Sequence, residues 1–323
     1  MPSTFEMNSL HRRRPKGQVW VYFDLENPAN IELDTYDFDG MFNWTITYEK
    51  NADIYLPYGS YTALKPGEEP LGEQINPSNK DRLAVWTVGN CGSLRDLYVQ
   101  QLRNHIRVDV FGGCAKYFYQ PHLVEKRCPK FTAKCDNLLK RYKFFLSFEN
   151  GNCVDYVTEK YWGTPLDLGI VPLVLGGADY KKIAIPGSYI NVLDFPSVKA
   201  LADYLLYLDK NDTAYMEYFS WRKTYKVDGY LKTGSFNEHR PWTCELCAKA
   251  QDPQHKVYES LNNFRDSTTH CGIHEEKVFE MMDSEGVNSE TEQEGHWPWV
   301  EETLKEGEEV EDEETESEKL KFS

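Results

Sequence analysis

The chain has 323 residues, 40% hydrophobic and 14% aromatic, enough to bury one full core and, on the usual domain-size scale, two. Its formal charge of −16 owes much to the nearly all-acidic run from Glu301 to Glu318, and the only dense basic run is Arg12, Arg13, Arg14 and Lys16, so nucleic acid is excluded as an expected partner. No apolar window approaches the roughly 20 residues of a membrane helix, and MPSTFEMNSLHRRRPKGQ lacks the apolar centre of a secretory signal.

In chain order, Val19 to Asp24 predicts a buried strand, and Pro28 keeps the loop Glu26-Asn27-Pro28 from becoming helix. Phe42 to Tyr48 alternates and is aromatic, and Ile54 to Gly59 follows it. Pro and Gly residues between Lys65 and Pro77 mark a loop or linker. From Leu83 the pattern is βαβ. It has a strand to Val88, a helix capped by Ser93 with Leu94, Leu97, Tyr98 and Leu102 on one face, and a strand from Val108 to Phe111. That order predicts an α/β fold with a parallel sheet.

Cys114, Cys128 and Cys135 decorate a passage read as loop. Strands at Phe144 to Phe148 and Val171 to Leu175 enclose a helix starting near Thr158. Ser197 caps a helix that buries Val198, Leu201 and Leu205, and an aromatic helix runs through Tyr215, Tyr218, Phe219 and Trp221. Beyond Pro241 the pattern thins to a Cys-bearing segment and one short helix around Val257 to Phe264. The acidic run after Met281 buries too little apolar surface to offset its ordering entropy and is expected to be disordered.

The chemistry gathers between Tyr142 and Phe195. Glu149 and Asn150 close a strand at the end where a parallel sheet presents ligand-facing groups. Such a pair is ordinarily a polar turn, but Tyr156, Thr158, Glu159 and Lys160 follow closely. Lys160 falls in the first turn of a helix, where the macrodipole disfavours a cation. A bound diphosphate would remove that penalty and add charge-assisted hydrogen bonds.

The run FENGNCVDYVTEKYWGTPLDLGIVPLVLGG resembles the donor-binding signature of the α-(1,3)-fucosyltransferases, which use GDP-fucose. WVYFDLENPAN, FNWTITYEKNADIYLPYG and TAYMEYFSWR resemble three further motifs of that family, so the likeness spans roughly Gln18 to Cys247. The resemblance implies two Rossmann-like domains of the GT-B type. Residues 1–78 would be the remainder of an acceptor domain, 79–235 the GDP-fucose domain, 236–280 a Cys-containing segment and 281–323 an acidic tail. Fewer than the family's usual residues precede the Glu26 strand, so the N-terminal domain is expected to be incomplete. Thr164 stands where many members have Asn.

By match to the motifs, Asn150, Tyr156, Glu159 and Lys160 would contact the nucleotide sugar, and Arg95 would pair with the diphosphate. The bland alternative for Arg95 is a surface helix arginine. Glu26 matches the proposed general base, against a plain loop carboxylate. GDP is a good leaving group, so one carboxylate suffices, unlike glycoside hydrolysis with its pair. No Asp-x-Asp triplet suits a metal-diphosphate site, and independence from Mn²⁺ is expected.

The resemblance further implies a Golgi enzyme, lumenal and membrane-anchored in full-length form. Its acceptor would be an N-glycan core or a terminal lactosamine. The competing reading is a truncated, non-catalytic GDP-fucose-binding protein. A nicotinamide dehydrogenase is excluded, since no G-x-G-x-x-G follows a strand. Cys244 and Cys247, with His270, Cys271 and His274 downstream, are at most half of a zinc site, and the family uses its C-terminal cysteines in disulfides. Eight cysteines and sequons at Asn43 and Asn211 suit a secretory compartment, with Asn211 expected to carry the glycan.

Overall fold

The computed structural model describes residues 13–31, 35–69, 75–119, 128–129, 132–230, 242–251 and 256–284. It opens with three parallel strands, β1 (Val21–Phe23), β2 (Trp44–Thr47) and β3 (Ile54–Tyr55), with Val21 opposite Trp44 and Ile46 opposite Ile54. The aromatic and β-branched residues of β2 are buried on both faces, as a central parallel strand requires. β4 (Gly59–Ala63) then leaves this sheet.

The second sheet holds β5 (Arg82–Thr87), β6 (Val108–Phe111), β7 (Tyr142–Phe148), β8 (Val171–Leu175) and β9 (Ile190–Asn191), all parallel, in the spatial order β6-β5-β7-β8-β9. Its connections carry α1 (Leu94–Leu102), α2 (Ala133–Leu139), α3 (Glu159–Trp162), α4 (Thr164–Leu168) and α5 (Tyr180–Ile183), and α6 (Val198–Lys210) and α7 (Asp212–Glu217) follow β9. β7 is buried throughout. Phe144, Leu146 and Phe148 pack with Tyr98, Val99, Leu201 and Leu205 of α1 and α6, while Phe145 packs with Cys135 and Leu139 of α2. Each large apolar side chain so buried contributes about 1.5–3 kcal/mol.

β10 (Tyr225–Tyr230) pairs antiparallel with β4, Tyr225 opposite Ala63, and so returns the chain to the segment that follows the first sheet. At that junction the Trp162 ring lies against Gly59, where an added Cβ would come within 2.2 Å of the ring. The C-terminal part carries α8 (Trp242–Gln251), α9 (Asn262–Arg265), α10 (Ser267–His270) and α11 (Glu275–Asp283). Trp242 and Leu246 pack on Ile46 and Ile54 of the first sheet and on Leu56 just past it, and Leu261 and Phe264 join Phe38 and Met41. Val278, Met281 and Met282 enter the core of the second sheet.

β1, β2, β3, β5, β6, β7 and β8 lie where the periodicity places them, whereas β4, β9 and β10 are not among the expected strands. β1, expected to be buried, is only partly so, with Phe23 exposed. Several helical details differ too. Leu97, expected on the inner face of α1, is exposed, and Val99 is buried in its stead. The passage read as loop around Cys135 contains α2, capped by Thr132, whose hydroxyl accepts from the Cys135 N–H. Among the described residues, the region after Pro241 holds four helices rather than one short one, and Val257 is exposed. The expected start of the acidic tail falls inside α11, because Met281 and Met282 are buried; residues 285–323 lie outside the described residues. Disulfides join Cys91 to Cys114, Cys128 to Cys135 and Cys153 to Cys271. Among the described residues, no helix is long and apolar enough to cross a membrane.

Candidate active site

Counted from its own first strand, the second sheet runs 2-1-3-4-5, so its order reverses between β5 and β7. A doubly wound sheet opens its ligand crevice at the carboxyl ends of the strands flanking such a reversal. Asn90 follows β5 at that point and Asn150 follows β7. They line a cleft of about 430 Å³ with Glu26, Ala29, Asn30 and Ile31 from the loop after β1. The two parallel sheets thus deliver strand ends to one cleft.

Glu26 is held there by one oxygen. Its Oε1 accepts from the Tyr156 hydroxyl at 2.8 Å, the Asn27 main-chain N–H at 3.1 Å, Asn27 Nδ2 at 2.8 Å, Asn150 Nδ2 at 3.2 Å and Asn30 Nδ2 at 3.3 Å. No described residue donates to Oε2 at hydrogen-bonding distance. Burial works to raise the pKa of this half-buried carboxyl, but the donors outweigh it and leave it below the ordinary value. Asn27 and Asn30 were not singled out in the sequence, although the loop motif contains both.

On the far side of the β7 loop lies a second acidic group that sequence reasoning flagged as a turn and did not carry further. Glu149 is fully buried, its carboxylate accepting the Thr158 N–H at 2.8 Å and the Thr158 hydroxyl at 2.8 Å. Lys160 Nζ lies 3.2 Å from Glu149 Oε2, 3.4 Å from Glu159 Oε1 and donates to Thr158 Oγ1 at 2.9 Å. Burial favours the neutral amine, but Glu149 and Glu159 outweigh it and Lys160 keeps its proton. The helix-start penalty expected for Lys160 is therefore already met by Glu149, without a ligand.

Arg95 is no surface arginine. It is 6% exposed, donates to the Phe148 carbonyl at 2.8 Å and the Asn90 carbonyl at 2.9 Å, and lies over the Trp86 ring. It ties together the ends of β7 and β5 beneath the cleft. Among the described residues its Nε has no hydrogen-bond partner, and burial lowers its pKa against the pull of Glu149 and Asp96.

Of the residues singled out in the sequence, Glu26, Asn150 and Tyr156 meet directly, and Glu159 and Lys160 sit at the α3 mouth. Tyr156 and Asn150, expected against the nucleotide, also spend a donor each on Glu26. Asn211 lies apart, between α6 and α7, where its Oδ1 accepts the Ala214 N–H. Asn43 is buried, and its Nδ2 donates to the Lys256 carbonyl at 2.7 Å. Cys271 is tied to Cys153, while Cys244 and Cys247 are exposed free thiols on α8, which separates the residues considered for zinc.

The first parallel sheet thus brings the Glu26 carboxylate to the switch point of the second, doubly wound sheet. The model for the C-terminal part of glycosyltransferase family 10 (fucosyltransferase) matches residues 77–264, and the fucosyltransferase N-terminal model matches residues 2–59. The chain belongs to glycosyltransferase family 10. Among curated relatives, alpha-(1,3)-fucosyltransferase 4 of Homo sapiens is 37% identical over 243 residues, covering 74% of this chain and 43% of its own. The 3-galactosyl-N-acetylglucosaminide 4-alpha-L-fucosyltransferase of Bos taurus is 38% identical over 258 residues, 77% of this chain and 63% of its own. The chain thus spans about half the length of the curated relatives it matches. A solved alpha1,3-fucosyltransferase with GDP-fucose matches at 20% identity and TM-score 0.49, over 76% of this chain and 78% of that one.

Proposed function

We propose that the chain transfers L-fucose from GDP-fucose to the 3-hydroxyl of an N-acetylglucosamine in a glycan, by a single inverting displacement. Family membership supports the reaction class, and the names of the relatives support a lactosamine-type acceptor. The observation that carries the mechanism is Glu26, fixed through Oε1 on the wall of the cleft with Oε2 left without a described donor. Glu26 Oε2 takes the proton of the acceptor hydroxyl while that oxygen bonds to the anomeric carbon. The bond from that carbon to the β-phosphate oxygen breaks, and GDP leaves with the electron pair.

Residues 79–235 hold the donor in this reading and residues 1–78 serve the acceptor. Lys160 at the α3 mouth would meet the growing charge on the diphosphate, Arg95 would support it from beneath the cleft, and Asn150, Tyr156 and Glu159 would contact the nucleotide sugar. The lowered pKa of Glu26 keeps it ionised at neutral pH, as a base must be. Three disulfides fit an oxidising lumen, for which we propose the Golgi. Mn²⁺ is not required: EDTA is expected to leave transfer unchanged, and abolition by EDTA with rescue by Mn²⁺ would refute this.

The deciding experiment is Glu26→Gln, assayed on N-acetyllactosamine and on a chitobiose-core glycopeptide with donor affinity measured by calorimetry. Turnover should fall by about 10²–10⁴, the usual contribution of a general base, with GDP-fucose affinity nearly intact. Donor binding by the unmodified chain without transfer to either acceptor would sink the enzyme reading in favour of a binding protein. Equal loss of donor affinity in Glu26→Gln and Lys160→Ala would overturn the roles.

A further inference from the structure

Behind Glu26 stands a buried arginine that the proposed displacement does not use. Arg265, ending α9, is 2% exposed, and its Nη1 donates to Glu49 Oε1 at 2.8 Å. Nη2 donates to the main-chain oxygen of Glu26 and lies 3.6 Å from Asp24 Oδ2. Asp24 Oδ1 in turn accepts the Glu26 N–H at 2.9 Å. The guanidinium also lies over the Tyr48 ring, which packs 4.8 Å from the Tyr156 ring, and the Tyr156 hydroxyl holds Glu26 Oε1. Arg265 therefore reaches Glu26 at its carbonyl, at its N–H through Asp24, and at its carboxylate through two rings.

A buried ion pair adds little net stability over an apolar pair of the same volume, because desolvation of both charges offsets their attraction. What such a pair does supply is direction. The residues just past Arg265 grip the other loop of the cleft: Cys271 is bonded to Cys153, Val154 N–H donates to the His270 carbonyl at 2.8 Å, and Ile273 N–H donates to the Asn152 carbonyl at 3.0 Å. One short stretch thus holds both loops that converge on Glu26. Both family-model matches end before Arg265.

We infer that Arg265 is a positioning residue for Glu26, and that residues 265–273 fix the Glu26 loop against the loop carrying Asn150 and Tyr156. The inference rests on Glu26 being the base. Arg265→Gln alone strands the Glu49 carboxylate in the core, so it is paired with Arg265→Gln/Glu49→Gln, which leaves neither of that pair's charges behind. In the folded double variant, hydrogen exchange at the Glu26 and Asn27 amides should accelerate tenfold or more while β7 stays protected. Its kcat should fall roughly tenfold or more, the scale of a lost charged hydrogen bond, with GDP-fucose affinity within about twofold. Arg265→Lys should recover part of kcat.

Unchanged exchange at those two amides overturns the inference whether or not the native chain transfers fucose. So does a uniform rise in exchange across both loops and β7, which would mark a merely structural role. Absence of transfer by the native chain refutes the transfer reading instead, and the exchange result still decides the brace.

Discussion

Tyr156 and Glu26, far apart in sequence and on different sheets' loops, are joined by a hydroxyl–carboxylate hydrogen bond of 2.8 Å. Burial acts to raise the Glu26 pKa, and Tyr156 is the first of the donors that pull it below the ordinary range. A carboxyl lowered in this way contributes stability above its unfolded pKa of about 4.3 and loses it only as pH falls through the folded value. Tyr156→Phe removes one lowering contribution, so the acid limb of log kcat/KM should move to higher pH. A limb that stays in place would show that it does not report Glu26.

Lys160→Ala should cost stability as well as donor affinity. Glu149 is fully buried, and removing one partner of a buried pair costs about 3–5 kcal/mol through the charge left behind. Burial already holds the Glu149 carboxyl above the ordinary value, and losing Lys160 raises it further. The penalty should therefore shrink as pH falls and the carboxyl takes up a proton. Urea unfolding at pH 7 and pH 5 checks this, and an equal loss at both values would contradict it.

Glycosylation should select Asn211 over Asn43. The Asn43 side chain is buried and hydrogen-bonded at both ends, to Lys256 through Nδ2 and from the Trp20 N–H to Oδ1. Asn211 Nδ2 meets only the exposed Tyr207 hydroxyl among the described residues. The mobility shift on glycosidase treatment should survive Asn43→Gln and vanish in Asn211→Gln.

Gly177→Ala should destabilise the donor loop. A Cβ there would sit 2.5 Å from the Asn152 carbonyl carbon and oxygen, main-chain atoms that cannot swing aside. Overpacking of this kind costs about 1–3 kcal/mol, read as a lowered Tm. Gly113→Ala, whose added Cβ would meet its nearest atom at an ordinary 3.6 Å, is the control and should leave Tm nearly unchanged.

Much of the second sheet was legible because β8 is an unbroken apolar run and β7 is one interrupted only by Lys143 and Ser147, and such runs mark strands buried on both faces. The strand order was not, since the reversal between β5 and β7 depends on pairings distant in sequence. Lys160 was read from the helix dipole and the motif match, without its buried partner. The acid that neutralises it, Glu149, directly ends an apolar strand, and that position was a usable sign of burial. The C-terminal helices hid behind polar composition, although Val278, Met281 and Met282 repeat at helical spacing. Nothing local to Arg265 or Tyr156 could reveal that both converge on one glutamate.

The five donors on Glu26 Oε1 also restrict its motion. The carboxylate cannot exchange its two oxygens by rotating about the Cγ–Cδ bond without surrendering every one of those contacts. In the proposed displacement, a proton captured by Glu26 rests on Oε2, the oxygen to which no described residue donates. Resetting the base would then depend on solvent reaching that oxygen, and a glycan that lingers in the cleft would slow it.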